Sequence, residues 1–116
     1  MTELALHRSI IDYINHVLPD HCGFHIPNGE RRDARTAAKL KSMGVRAGVP
    51  DFALPYHGGR ILFLEFKAGK GRASVAQNAY FDRLRENQHT VAIVRSIDDV
   101  LAALNALGIK TRDPGP

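Results

Sequence analysis

The sequence predicts an α/β domain in which a small mixed β-sheet lies between helices on both faces. The first observation behind this prediction is the alternation of helical and short apolar segments, in the order α-β-α-β-β-α-β-α. The second is a glycine-rich turn between the second and third apolar runs, which is typical of an antiparallel hairpin. The third is a helical segment between the third and fourth runs, which is typical of a right-handed crossover between parallel strands.

Length and composition predict a single domain. The chain has 116 residues, of which 44% are hydrophobic and 24% charged, as in ordinary globular proteins. We expect this domain over residues 1–108, followed by a C-terminal tail over residues 109–116. No apolar run reaches the roughly 18 residues of a membrane span, and no signal peptide opens the chain, so we expect a cytoplasmic protein without a membrane partner. Cys22 is the only cysteine, which excludes a disulfide framework and a zinc knuckle.

A first helix is predicted over residues 3–18. Thr2 can cap its N-terminus, and Pro19 follows its expected end. Apolar side chains at helical spacing form its inward stripe: Leu6, Ile10, Ile14 and Val17. Glu3 and His7 are one turn apart and continue the edge of this stripe.

The next segment predicts a short strand and a second helix. Residues 22–26 can form the strand, and residues 27–29, with the sequence Pro-Asn-Gly, are a turn signature. Residues 34–43 predict the helix, which Gly44 ends. Residues 45–50 then form an irregular approach to the next strand.

A hairpin follows this approach. Residues 52–54 and 61–67 are the apolar and aromatic runs expected of its strands, and residues 57–59 supply the turn. Gly48 and Pro50 precede the first strand. Because glycine allows unusual dihedral angles and proline restricts its own and its neighbour's, we expect these two residues to aim the aspartate that follows.

The length of the turn decides which side chains of the hairpin share a face. A three-residue loop places Tyr56 opposite Arg60 and Asp51 opposite Glu65. A two-residue Gly-Gly turn would instead bury the charge of Asp51 among leucines, so we favour the longer loop. The longer loop gathers one apolar face: Phe52, Leu54, Leu62, Leu64 and Phe66.

Three charged side chains are then expected at the open end of the other face, namely Asp51, Glu65 and Lys67. Two close carboxylates repel each other unless a cation intervenes, and Mg²⁺ typically takes one or two carboxylates together with waters and substrate phosphates. Lys67 can assist the attacking water and offset charge in the transition state. The pattern predicts metal-dependent hydrolysis of phosphodiesters.

Simpler interpretations of these residues exist. A Glu-x-Lys pair on a strand is usually a solvated ion pair, and an Asp after a Pro is usually a turn residue. The occurrence of both patterns in a register that superposes them, beside a basic segment, favours the site.

The positive charge of the chain is concentrated just before this site. Residues 30–46 contain six basic and two acidic residues, whereas the rest of the chain has ten of each. Such a segment is expected to hold the phosphates of a nucleic acid, although a solvated helix face has the same composition. The basic residues are Arg31, Arg32, Arg35, Lys39, Lys41 and Arg46. Lys70 and Arg72, in the loop after Lys67, either contact phosphates or keep the loop in solvent.

The C-terminal third predicts helix, strand and helix. Ser74 and Gln77 form a capping box for a helix that ends near Glu86 and turns Ala76, Tyr80 and Leu84 to the sheet. Residues 90–95 predict a strand that is buried on both faces. Ser96 and Asp99 are a second capping pattern, and the last helix has the apolar residues Val100, Leu101, Leu104 and Leu107 before Gly108.

The hairpin residues resemble a known nuclease motif. Pro50-Asp51 followed by Glu65-Phe66-Lys67 is similar to the PD-(D/E)xK signature. The surrounding stretches are similar to a VRR-NUC domain over roughly residues 3–104, and this resemblance implies a restriction-endonuclease-like core. The stretches that carry it are residues 25–29, 40–54, 63–67, 74–77 and 91–96.

The resemblance also implies roles for individual residues. Asp51, Glu65 and the carbonyl of Phe66 would hold Mg²⁺ or Mn²⁺, with Lys67 assisting the water. Gln77 would lie beside the metal, as an alternative to its role in the capping box.

Residues outside the hairpin also match residues of the VRR-NUC family. Glu3 matches a first-helix glutamate that faces the active site, although an acid in the first turn also favours the helix dipole. His7 is then interpreted as a partner of Glu3 or a bystander. Asn28 and Gly29 match a turn that approaches the substrate, or are a plain turn.

Stand-alone members of the family occur in bacteria and phages. The resemblance implies a homodimer that cuts branched DNA such as Holliday junctions, in a bacterial or phage-infected cell. A flap or duplex nuclease would have the same catalytic residues, and a non-catalytic DNA-binding module would need only the basic segment. These alternatives remain open at the level of sequence.

Overall fold

The computed structural model describes residues 1–27 and 33–112. In these ranges the elements follow the predicted order. They are α1 (Glu3–Val17), β1 (Phe24–His25), α2 (Ala34–Ser42), β2 (Phe52–Tyr56), β3 (Arg60–Phe66), α3 (Val75–Glu86), β4 (Thr90–Val94) and α4 (Ile97–Ala106). None of the helices in the described ranges is long and apolar enough to cross a membrane.

The strands form one mixed sheet in the order β1-β2-β3-β4. β2 pairs antiparallel with both β1 and β3, while β4 pairs parallel to β3. The parallel pair is joined through α3, as predicted for a strand-helix-strand crossover. Since β3 is central and is paired on both sides, its C-terminal end is rigidly placed.

The register of the β2–β3 hairpin confirms the three-residue loop. Tyr56 pairs with Arg60 and Phe52 with Leu64, so the residue before β2 lies opposite Glu65. A short 3-10 turn, His57–Gly59, joins the strands, with Gly58 and Gly59 at φ +82° and +72°. The five apolar residues predicted to share a face all belong to one buried cluster.

Helices cover both faces of the sheet. On one face, α1 and α4 pack against the apolar face of the hairpin, and the four residues predicted as the inward stripe of α1 are all buried. Thr2 caps α1 by accepting a hydrogen bond from the N–H of Ala5 at 3.1 Å. On the other face, Phe81 of α3 packs with Ala53, Phe63 and Val91 in a second cluster.

The inward face of α3 differs from the prediction. Phe81 is fully buried and Leu84 packs beside it, but Ala76 is exposed and Tyr80 is only half-buried. The helix is therefore rotated, because the aromatic ring of Phe81 fills the space above the sheet that an alanine would leave empty. This rotation brings Gln77, one turn before Phe81, to the sheet side.

α2 and the C-terminal segment lie at the margins of the fold. Asp33 caps α2 by accepting a hydrogen bond from the N–H of Thr36 at 2.7 Å, and no residue of the helix is buried. Ile109 packs against the first cluster, and the N–H of Arg112 donates to the carbonyl of Val17 at 2.7 Å. The predicted turn at Asn28 and Gly29 lies outside the described residues, as do residues 113–116.

Candidate active site

The approach to β2 is fixed by a close contact with α3. Gly48 has φ +82°, and a Cβ atom on it would lie 2.8 Å from the carbonyl oxygen of Ala76. Only glycine fits this position without displacing the first turn of α3. Pro50, which is buried, then leads directly into Asp51. As predicted, Gly48 and Pro50 determine the path of the backbone before the aspartate.

Asp51 is held by four hydrogen bonds. Its Oδ2 accepts from the N–H of Phe66 at 2.8 Å, and its own N–H donates to the carbonyl of Leu64 at 3.0 Å. Its carbonyl oxygen accepts from the N–H of Ile26 at 2.8 Å and lies 2.8 Å from Nδ1 of His25. The side chain is thus anchored to β3 through one oxygen.

Glu65 lies in β3 and is only 2% exposed. Its Oε2 lies 3.1 Å from Nζ of Lys67 and accepts a hydrogen bond from Nε2 of Gln77 at 3.0 Å. Its Oε1 is buried and, among the described residues, has no hydrogen-bond partner. A buried carboxylate oxygen without a partner is costly, which indicates a position prepared for a further ligand.

The carboxyl groups of Asp51 and Glu65 interact electrostatically. Burial, followed by the negative charge of Asp51, raises the pKa of Glu65 to about 7. The nearby Lys67 ammonium opposes this shift. The predicted convergence of Asp51, Glu65 and Lys67 is therefore present in the fold.

Gln77 caps α3 and also contacts Glu65. Its Oε1 accepts from the N–H of Ser74 at 2.8 Å, and the hydroxyl of Ser74 accepts from the N–H of Gln77 at 3.1 Å, which completes a capping box. Because Oε1 must face that backbone donor, Nε2 is the end that reaches Glu65. Capping and contact with the site are thus parts of one arrangement.

The first turns of α1 also reach the site. The ring of His7 lies 4.6 Å from both His25 and Phe66, measured between centroids. Burial, and then the charge of His25, lowers the pKa of His7, whereas the charges of Asp51 and Glu3 oppose this. Glu3 is exposed, and it is close enough to His7 for its negative charge to affect the pKa of the histidine.

Sequence reasoning did not identify His25 and assigned no role at the site to His7. The one available signal was the place of His25 in a stretch that carries the family resemblance. His7 offered a weaker signal, its position one turn after Glu3. Neither residue is part of the hairpin pattern, so their contacts with it depend on how α1 and β1 pack.

The donor set fits a hard divalent cation. Within residues 1–27 and 33–112, no group of three or more His, Cys, Asp or Glu side chains is arranged to hold a metal. The protein side chains available at the hairpin are therefore the two carboxylates of Asp51 and Glu65. Such a pair, completed by waters, a carbonyl such as that of Phe66 and substrate oxygens, suits Mg²⁺ or Mn²⁺.

The predicted basic residues are divided among several surfaces. Lys41 and Arg46 line an open groove between α2 and α3, here called the α2–α3 groove. Arg35 and Lys39 lie on the opposite side of α2, as helical periodicity requires. The remaining four are Lys70 and Arg72, which are exposed in the loop after the site, and Arg31 and Arg32, which lie outside the described residues.

Comparison with known proteins relates this chain to one domain family. The family model of the VRR-NUC domain matches residues 12–98 of this chain, a range that includes Asp51, Glu65, Lys67 and Gln77. A solved structure described as a VRR_NUC domain protein has a TM-score of 0.73 and 24% identity, and covers 98% of this chain and 94% of that chain. At this identity the likeness shows the fold alone. No curated protein matches the chain.

Proposed function

Because this chain belongs to the VRR-NUC domain family, we propose that it is a metal-dependent endonuclease that hydrolyses phosphodiester bonds in DNA. Membership makes it a nuclease-type domain; the metal and the kind of DNA are parts of the proposal. The observation that carries it is the buried, unpartnered Oε1 of Glu65 beside the carboxylate of Asp51. A structural ion pair with Lys67 alone would not need a second carboxylate there.

The contacts of each side chain suggest its role in DNA hydrolysis. Asp51 and Glu65 would hold Mg²⁺ or Mn²⁺, which supplies positive charge for a phosphate oxygen and a more acidic water. Lys67 lies 3.1 Å from Glu65, where its ammonium can orient the attacking water and offset charge that develops on the phosphate. Gln77 holds Oε2 of Glu65, which keeps Oε1 directed away from that contact.

Branched DNA is the substrate that we propose, with the protein acting as a homodimer. This part is supported by the resemblance to stand-alone family members. Two identical sites related by a twofold axis suit paired nicks in a four-way junction. A flap or duplex nuclease would use the same site and would differ only in its preference among substrates.

The test is cleavage of labelled four-way junction, flap and plain duplex with Mg²⁺ or Mn²⁺. We expect cleavage of the junction by the wild-type protein and its loss in Lys67→Ala. Lys110→Ala is the matched control, because Lys110 lies near the opposite end of the hairpin, beside a cavity lined by His57. Equal cleavage of all three substrates would refute the preference for branches. DNA binding without cleavage under any metal would instead favour a non-catalytic module.

A further inference from the structure

The α2–α3 groove is the larger of the two described cavities and has a volume of about 950 Å³. Its walls include small residues from both helices, among them Ala37, Ala76 and Ala79. No residue of α2 is buried, so this helix forms an outer wall rather than a part of the core. The groove therefore offers a long surface that the rest of the described chain leaves open.

The groove is positively charged. Lys41, Arg46 and Arg83 line it, and no acidic residue is among its lining residues. Tyr80 supplies the one neutral polar side chain there. Small-molecule sites usually bury most of the surface of their ligand, whereas this groove is open to solvent. Its composition is better suited to an extended polyanion.

A second copy of this chain is a poor occupant of the groove. The same face of another molecule would bring Lys41, Arg46 and Arg83 against an identical set of cations. The outer side of α2 carries Arg35 and Lys39, so it would also add positive charge. Charge complementarity therefore favours a phosphate backbone over self-association.

The groove adjoins the candidate active site through Ala76 and the residues next to it. Ala76, which lines it, packs through its carbonyl oxygen against Gly48, three residues before Asp51. The next residue of α3 is Gln77, which donates to Glu65. A chain lying in the groove would thus pass within one residue of the side chains that hold the carboxylates.

We propose that the α2–α3 groove seats the sugar-phosphate backbone of the DNA that leads to the cleaved bond. Lys41, Arg46 and Arg83 contact its phosphates, and Arg83 is a binding residue that lies outside the basic segment over residues 30–46. This inference rests on the proposed nuclease function, because it takes the side chains beside the groove to be the cleavage site.

The decisive variant places a carboxylate on the α3 wall of the groove. Ala79→Glu adds negative charge at an exposed helical position, where glutamate is a good helix former. Ala102→Glu, at an exposed position of α4 outside the groove, is the matched control. With a labelled 30-base-pair duplex in EDTA, where cleavage is blocked, we expect Ala79→Glu to weaken binding about tenfold or more and the control to stay near wild type.

A second pair of variants removes charge instead of adding it. We expect Arg83→Ala to weaken binding of the same duplex about threefold or more, and to reduce the slope of log affinity against log salt concentration by about 1. Arg60→Ala, at the turn end of β3, removes the same charge and should leave both quantities unchanged. Circular dichroism of each variant checks that α3 is intact.

Failure of this inference is distinguishable from failure of the nuclease. If wild type cuts DNA while Ala79→Glu and Arg83→Ala bind duplex and cleave like their controls, the groove proposal is wrong and the nuclease stands. If Ala79→Glu loses duplex binding while no variant ever cuts, the groove binds DNA but the proposed function is wrong. Loss of a dimer in sedimentation, with duplex affinity unchanged, would assign the groove to a second copy and overturn the inference.

Discussion

Nε2 of Gln77 lies 3.0 Å from Oε2 of Glu65, the same oxygen that Nζ of Lys67 approaches to 3.1 Å. Two donors from different elements therefore act on one carboxylate oxygen, and the other oxygen is left buried and without a partner. Because both donors contact Oε2, the Oε1 atom of Glu65 is available to a further ligand.

The first prediction separates the two roles of Gln77. Gln77→Ala removes both the capping contact and the donor to Glu65, whereas Ser74→Ala removes a cap contact only. We expect each variant to lose about 1 kcal/mol of unfolding free energy. Only Gln77→Ala should also reduce kcat for DNA cleavage, by about tenfold or more. Similar kcat values for the two variants would show that Gln77 acts only as a cap.

The second prediction concerns the pH dependence of stability without metal. The pKa of Glu65 is raised from 4.5 to about 7, so the folded state holds a proton that the unfolded chain releases. The stabilisation is present below pH 4.5 and is lost as pH rises through 7, with up to about 3 kcal/mol of unfolding free energy at stake. Denaturant titrations in EDTA should show this fall in wild type relative to Glu65→Gln. Parallel pH profiles for the two proteins would contradict the shift.

The third prediction concerns the metal ligands. Titration calorimetry with Mn²⁺ should show binding to wild type and its loss in Asp51→Asn, because an amide supplies only a neutral oxygen to a hard cation. At a Mn²⁺ concentration of about 100 times Kd, wild type should gain about 2.7 kcal/mol of stability. Chelation should reverse the gain. Unchanged Mn²⁺ affinity in Asp51→Asn would remove Asp51 from the ligand set.

The fourth prediction tests His25 as a positioning residue. His25 contacts the backbone carbonyl of Asp51 rather than its carboxylate, so its loss should loosen the aspartate without removing a ligand. We expect His25→Ala to weaken Mn²⁺ binding about tenfold, as is typical of residues that orient ligands. His57→Ala, in the hairpin turn, is the control and should bind Mn²⁺ like wild type. A His25→Ala protein with wild-type Mn²⁺ affinity would exclude this role.

The fifth prediction compares two glycines with the same backbone angle. Gly48 and Gly58 both have φ +82°, but a Cβ on Gly48 would meet the carbonyl oxygen of Ala76 at 2.8 Å, while nothing lies within 4 Å of one on Gly58. Gly58→Ala should cost about 1 kcal/mol from the dihedral angle alone. Gly48→Ala should cost about 2 kcal/mol more and should impair cleavage, because the loop that aims Asp51 must move. Thermal unfolding and nicking rates check both expectations.

Much of the fold was accessible from local patterns. The period of two along the hairpin, combined with its turn length, determined which side chains share a face, and Asp51 and Glu65 lie together for that reason. The stripe of α1 and the caps of three helices were equally local, because each depends on residues within one turn of each other. The core on the α1 side of the sheet followed from the same periodicities.

Other features depended on packing between distant segments. The rotation of α3 was not readable from its sequence, since apolar residues are spread around that helix and only burial of Phe81 selects the inward face. The same rotation brings Gln77 to Glu65 and turns Ala79 and Arg83 toward α2. Likewise, the basic side chains of α2 lie on two sides of the helix, with Lys41 in the groove and Arg35 and Lys39 opposite it.

The sequence by itself therefore determined the hairpin and the meeting of Asp51, Glu65 and Lys67, because turn length and strand alternation act over short distances. Only the tertiary structure decided that Gln77 donates to Glu65, that His25 contacts Asp51, and that a basic groove ends beside them. These contacts join elements that are not linked by one tight turn, so no turn length sets their register. Their positions depend on how whole helices fill the space above the sheet, and no local periodicity specifies that volume.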